Sequence, residues 1–129
     1  MGPIARSKVS LRISGEKFTE NQINVLLEVK ASEFLTRNIP DSIGGTGIKN
    51  QWCLSAPEGI ELEEQISWLF NKATKDLNKW RILTDAYDVD IFCGAFMESE
   101  NEGIQFDCNI LKMACDRNTR IGVDIYAPD

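Results

Sequence analysis

The sequence of 129 residues contains no histidine. General acid–base chemistry would therefore fall to carboxylates, cysteine, lysine or tyrosine, and a cysteine nucleophile would lack its commonest base. No Cys-x-x-Cys pair occurs either. Cys53, Cys93, Cys108 and Cys115 are 40, 15 and 7 residues apart, so a zinc site of clustered thiolates and imidazoles is not expected. Three of the four fall in predicted strands and one in a predicted helix, where reduced, buried thiols are the expectation. No apolar run approaches the roughly 18 residues that cross a bilayer, and Arg6, Ser7 and Lys8 interrupt MGPIARSKVSLRIS before it could form a signal-peptide core. The expectation is a cytoplasmic protein with no membrane contact.

A broad excess of positive charge is missing too. The formal charge is −6; residues 1–55 hold seven Lys/Arg against five Asp/Glu, and residues 56–129 hold seven against fifteen. Non-specific nucleic-acid binding draws on a basic face that displaces counterions, so no nucleic-acid partner is expected. A basic protein partner suits the charge better.

What is present describes one ordinary domain, residues 1–129, with 43% hydrophobic and 26% charged residues. KVSLRIS alternates, with Val9, Leu11 and Ile13 on one face, and reads as a half-buried strand ended by Gly15. Thr19 and Gln22 form a capping box ahead of a helix with Ile23, Leu26 and Leu27 on its stripe. That helix stops near Lys30 or runs on towards Phe34. Residues 36–50, TRNIPDSIGGTGIKN, read as a long irregular loop. Its GGTG lacks the Gly-Lys-Ser/Thr ending and following helix of a phosphate loop, and leads instead into the strand QWCLSAP. Pro57–Gly59 turns that strand.

LEEQISWLFNKATKDLNKWRIL then reads as one long amphipathic helix, with Leu62, Ile66, Leu69, Phe70, Ala73, Leu77 and Trp80 on its stripe. VDIFCGAFM follows, apolar on both faces, with Val89, Ile91, Cys93, Ala95 and Met97 on one side and Phe92 and Phe96 on the other. Such a strand belongs mid-sheet. ESENEG and GIQFDC read as a hairpin, NILKMACDRN as a short helix and RIGVDIY as a closing strand. The fold expected is α+β: a ferredoxin-like βαββαβ sandwich formed by the last six elements, preceded by an extra strand and helix, with helices on one face of a mostly antiparallel sheet. Cover for the face bearing Phe92 and Phe96 is expected first from the N-terminal segment, and second from a homodimer or a ligand groove.

Asp88 with Asp90, and Asp124 with Tyr126, share strand faces. Paired carboxylates can split their pKa values and work as acid and base, but nothing else in the sequence supports an enzyme, and solvated strand ends are the simpler reading. Glu98, Glu100 and Glu102 alternate on the hairpin tip, while Glu58, Glu61, Glu63 and Glu64 open the long helix. Both runs suit a cationic partner electrostatically, and both have plainer roles, as a solvated turn and as charges favoured at a helix N-terminus. Trp68 lies off the centre of its helix stripe; it or Trp80 could anchor a contact.

Taken in order, LRISG, TENQINVLL, a Gly-containing loop, QWCLSA, LEEQISWLF, DIFCGAF, FDCNILKMA and VDIYA resemble the bacterial family called domain of unknown function 4279, over roughly residues 8–127. ASEFLTRNIP departs from it by delaying the Pro-containing turn that such families carry soon after the first helix. The resemblance implies a compact domain without assigned chemistry, similar to immunity proteins that accompany polymorphic toxins. The expectation is thus a non-enzymatic, cofactor-free protein that neutralises a basic, nuclease-like toxin through Glu98, Glu100, Glu102, Glu61, Glu64 and Trp68. The alternative is a small-ligand-binding or regulatory domain using the open sheet face and the GGTG loop.

Overall fold

The computed structural model describes residues 2–40 and 46–128. After a two-residue strand β1 (Gly2–Pro3), the alternating KVSLRIS segment forms β2 (Arg6–Gly15), with Val9, Leu11 and Ile13 buried on one side. The next turn is tight because Gly15 lies beneath Tyr87: a methyl group there would come within 2.7 Å of that ring. Helix α1 (Glu20–Leu27) starts at the expected capping box. Thr19 Oγ1 accepts from Gln22 N, and Gln22 Oε1 accepts from Thr19 N. It stops earlier than either expectation, because Glu28 adopts a left-handed conformation (φ 60°) and its N–H closes on Asn24 O.

Phe34 therefore lies not in a helix but in β3 (Glu33–Pro40), which pairs antiparallel with β4 (Thr46–Ser55). The irregular loop expected over residues 36–50 is corrected accordingly. Most of it is paired strand, since the backbone ladder satisfies residues whose polar side chains concealed the pattern. Gly44 and Gly45 of the GGTG tract lie outside the described residues.

The single long helix is corrected to two, α2 (Leu62–Lys72) and α3 (Leu77–Ala86). Asp76 caps α3 by accepting from Asn78 N, while Thr74 N donates to Leu27 O of α1 at 2.7 Å. That bond fixes where the chain breaks. Strand β5 (Asp88–Phe96) follows as expected. The expected hairpin does not form; residues 102–103 make β6 (Glu102–Gly103), which pairs in parallel with β1. Helix α4 (Cys108–Asp116) and β7 (Arg120–Tyr126) complete the chain.

The main sheet has the order β3-β4-β2-β5-β7, antiparallel throughout except for β5 with β7. The βαββαβ order thus falls on the first part of the chain: β2, α1, β3, β4, the α2–α3 pair and β5. The added helix and strand, α4 and β7, lie at the C-terminal side, not the N-terminal side as expected.

All four helices contribute to one core with the inner face of the sheet, including Ile23, Leu27, Ile66, Leu69, Phe70, Trp80, Leu83 and Ile110. Among the described residues, the side-chain polar atoms buried there have partners, except Arg117 Nε. Asn24 Oδ1 accepts from Trp52 Nε1 at 2.8 Å and from Ala31 N at 3.1 Å. Arg117 is buried over the rings of Phe70 and Trp80 and donates to Met113 O.

The cysteines divide by depth, which corrects the expectation of four buried thiols. Cys93 is fully buried and Cys53 half-buried, whereas Cys108 and Cys115 are exposed on α4. Burial pushes the Cys93 thiol up to about 12, and pushes Cys53 up as well. Because the thiolate is the nucleophile, Ellman's reagent at pH 8 is expected to modify Cys108 and Cys115 rapidly and Cys53 slowly. Cys93 should react only after denaturation. Four equally fast thiols in the native protein would contradict this packing.

Candidate functional site

Two surfaces are candidates for a functional site, one acidic and one formed by the open sheet face. The acidic surface arises where residues 56–71 and 97–111 meet. These segments carry eight carboxylates (Glu58, Glu61, Glu63, Glu64, Glu98, Glu100, Glu102 and Asp107) and no lysine or arginine. The fold brings them together through the N-terminal residues. β1 pairs with β6, Ala5 N donates to Glu102 Oε1 at 3.0 Å, and Asp107 N donates to Glu63 Oε2 at 3.3 Å. A cleft of about 330 Å³ lies between, with Glu61 and Glu63 on one wall and Gly103, Ile104 and Gln105 on the other. None of the ion pairs formed among the described residues involves these carboxylates.

The acidic residues singled out from sequence are not equivalent. Glu98 and Glu100 are exposed on the loop after β5, and Glu61 and Glu64 are exposed at the start of α2. Glu64 and Trp68 are four residues apart on α2, hence on one helix face; Trp68 is half-buried, and Lys72 Nζ lies 5.8 Å from the centre of its ring.

Glu102 has a different role from the one expected. Its carboxylate lies inside the loop, accepting from Ala5 N, Glu98 N, Ser99 N and Ser99 Oγ. Burial acts to raise its pKa, but these donors together outweigh it and hold the carboxyl below its ordinary value. Glu102 therefore shapes the loop that displays Glu98 and Glu100. Trp80, the other aromatic considered as an anchor, is fully buried and excluded from any contact surface.

The second surface is the sheet face opposite the helices. The N-terminal segment does not cover it as expected, because β1 is engaged with β6; no described helix packs there. On this face Arg12 Nε and Nη2 donate to the two oxygens of Asp90 at 3.0 and 2.8 Å. The same guanidinium lies 4.3 Å from the ring centre of Phe92, and that of Arg6 lies 4.6 Å from Phe96. Phe96 stacks on Tyr126 with ring centres 4.8 Å apart and planes 12° from parallel.

These aromatics line a groove of about 350 Å³ with Lys8, Ser10, Ser55 and Glu58, floored by Gly94. Of the carboxylates weighed as catalytic pairs, Asp90 is engaged by Arg12. Asp124 stands across from Gly94 in the β5–β7 register. Sequence patterning placed Phe92 and Phe96 on this face but gave no sign of Tyr126 beside them, because the parallel β5–β7 register is set by α4 rather than by a turn.

Against known proteins, a family model described as Domain of unknown function (DUF4279) matches residues 5–128, and the chain belongs to that family. Searches of curated proteins and of solved structures gave no match. No helix among the described residues is long and apolar enough to cross a membrane.

Proposed function

We propose that this member of the family is a non-catalytic protein-binding domain: a cytoplasmic immunity protein that neutralises a basic bacterial toxin by docking through its acidic end. The observation behind this reading is the meeting of two acidic runs, eight carboxylates that form no ion pair among the described residues, beside a cleft lined by Glu61 and Glu63. A field of one sign steers an oppositely charged partner and suppresses wrong ones, and its effect falls as salt screens it. The docking groups are Glu61, Glu64, Glu98 and Glu100, with Trp68 beside Glu64 as the apolar anchor. Glu102 supports the loop from within.

The test is co-purification with the product of the adjacent upstream gene, followed by association kinetics at low and high salt. The expected result is a complex that protects cells from that product, with an association rate about tenfold or more slower at high salt. Reversing Glu98 and Glu100 to lysine should slow association further. Glu102→Gln should instead speed amide exchange in the loop around Glu98 and Ser99. Absence of both complex and protection would overturn the reading.

A further inference from the structure

We propose that the open sheet face holds a separate ligand site, for a planar heteroaromatic anion carrying an amino donor: the chemistry of an adenine or cytosine mononucleotide. This inference stands apart from toxin docking, because it uses cations and aromatic rings of the sheet face; Glu58 borders both surfaces but is not among the docking groups.

The strand register places three rows side by side: Ser10, Phe92 and Gly122; Lys8, Gly94 and Asp124; Arg6, Phe96 and Tyr126. Glycines occupy two of the nine positions: Gly122 is open, whereas Gly94 is buried with the edge of the Phe96 ring close over it. A methyl group built on Gly122 would touch nothing within 4 Å, so no side chain occupies the position across from Phe92. Gly94 forms the floor between the two phenylalanines. The result is a groove with aromatic walls, of a volume suited to a small ligand.

Its polar groups are arranged with signs at separate places. Lys8 lines the groove and Arg6 lies beside it over Phe96, and neither forms an ion pair among the described residues. Glu58 lies on the β4 side and Asp124 on the β7 side, while the hydroxyls of Ser10 and Ser55 are neighbours across the β2–β4 register. A purely apolar ligand would leave these groups without partners, and a simple anion would gain nothing from the rings. A nucleotide meets all three demands: its base stacks on Phe92, its phosphate is held by Lys8 and Arg6, and its exocyclic amine donates to Glu58 or Asp124. The surroundings favour the anionic end. Among the described residues this face displays six cations (Arg6, Lys8, Arg12, Arg37, Lys49 and Arg120) against five carboxylates (Glu33, Asp88, Asp90, Asp124 and, in the groove, Glu58), in a chain whose net charge is −6.

Gly94→Val is the informative variant. A Cβ at that position would meet its nearest atoms, Phe96 Cε2 and Lys8 O, at the ordinary contact distances of 3.5 and 3.7 Å, and valine suits a central strand. Those distances accommodate the methyl group of Gly94→Ala; Gly94→Val adds two more carbons beside Phe96, and its folding is checked by circular dichroism. Calorimetric titration of the full chain with AMP should show saturable binding, with adenosine and inorganic phosphate each at least about tenfold weaker, a difference of one decade in affinity. Gly94→Val should remove AMP binding at a temperature where the variant is folded, Gly94→Ala should weaken it without lowering the melting temperature, and Lys8→Gln should weaken AMP but not adenosine. Several outcomes would overturn the proposal: no AMP binding, AMP binding unchanged by Gly94→Val, inorganic phosphate binding as well as AMP, or tighter binding of a single-stranded oligonucleotide than of AMP. Each leaves the docking reading untouched, since Glu61, Glu64, Glu98 and Glu100 lie outside the groove.

Discussion

Trp80→Ala is expected to destabilise the fold by about 3–5 kcal/mol, the usual cost of emptying a large aromatic site in a core. Trp80 is fully buried where α3 meets the rest of the helical layer. Its ring meets that of Phe70 edge-on, with centres 5.9 Å apart and planes at 70°, and its Nε1 donates to Thr74 O at 2.7 Å. The alanine variant loses the contact area and leaves the Thr74 carbonyl unpaired at the α2–α3 junction. It also removes one of the two rings beneath the buried Arg117 guanidinium. For a chain of this length the melting temperature should fall by about 10 °C or more. Trp68→Ala provides the contrast: its ring is only half-buried, and its loss should cost much less. Comparable midpoints for the two variants in thermal denaturation followed by circular dichroism would contradict this assignment of core and surface.

Gln65→Leu should cost about 2–4 kcal/mol, although it replaces a polar side chain by an apolar one of similar size in a core. Gln65 is fully buried. Its Oε1 accepts from Ser7 Oγ, and its Nε2 donates to Ser7 O at 3.1 Å and Pro57 O at 3.0 Å. One side chain thereby ties α2 to β2 and to the turn after β4. Leucine satisfies none of those groups, and each buried polar atom left without a partner carries a penalty of about 1–3 kcal/mol. Gln65→Glu should be worse at neutral pH, since it faces a buried carboxylate towards two carbonyl oxygens. Burial raises the folded-state pKa of the introduced carboxyl above its unfolded value, so the penalty is full well above that folded pKa. It shrinks as pH falls towards the unfolded pKa of about 4.3. Urea midpoints at pH 7 and pH 5 should therefore bring Gln65→Glu closer to wild type at the lower pH. An unchanged gap would show that Gln65 is not sealed from solvent.

The same side chains show how far the sequence could be read. Val9, Leu11 and Ile13 marked β2 because one of its faces is buried and the other is not, which imposes a period of two. Thr19 and Gln22 marked the start of α1 because a capping box depends on local geometry alone. The break between α2 and α3 was hidden because Leu69, Phe70, Ala73, Leu77 and Trp80 keep a helical rhythm across it. The available signals were Thr74 and Asp76, two residues suited to capping, but the deciding bond comes from Leu27, some 47 positions away.

Strand β3 was hidden for a related reason. At the edge of a sheet, Thr36 and Arg37 are exposed, and pairing with β4 is recorded in the backbone rather than in apolar residues. For the candidate surfaces, charge was legible and geometry was not. The acidic runs could be counted, but Glu102 could be separated from Glu98 and Glu100 only once its four donors were in place. The two rings on β5 could likewise be assigned to the outer face, whereas Gly122 and Tyr126 join them only through the register of a strand delivered by α4.

The position of β7 also has a consequence for the order of assembly in the cell. Every strand from β2 to β5 leaves the ribosome before the residues that flank β5 on its other side, and the four-strand arrangement β3-β4-β2-β5 can close without them. Until Arg120–Tyr126 docks, β5 is a bare border: paired with β2 on one side, with its Asp90–Phe96 edge open on the other and Phe92 and Phe96 beside it. Such an edge invites pairing with other chains. β7 thus acts as a closing seam, and a chain released without it would present β5 at its most adhesive.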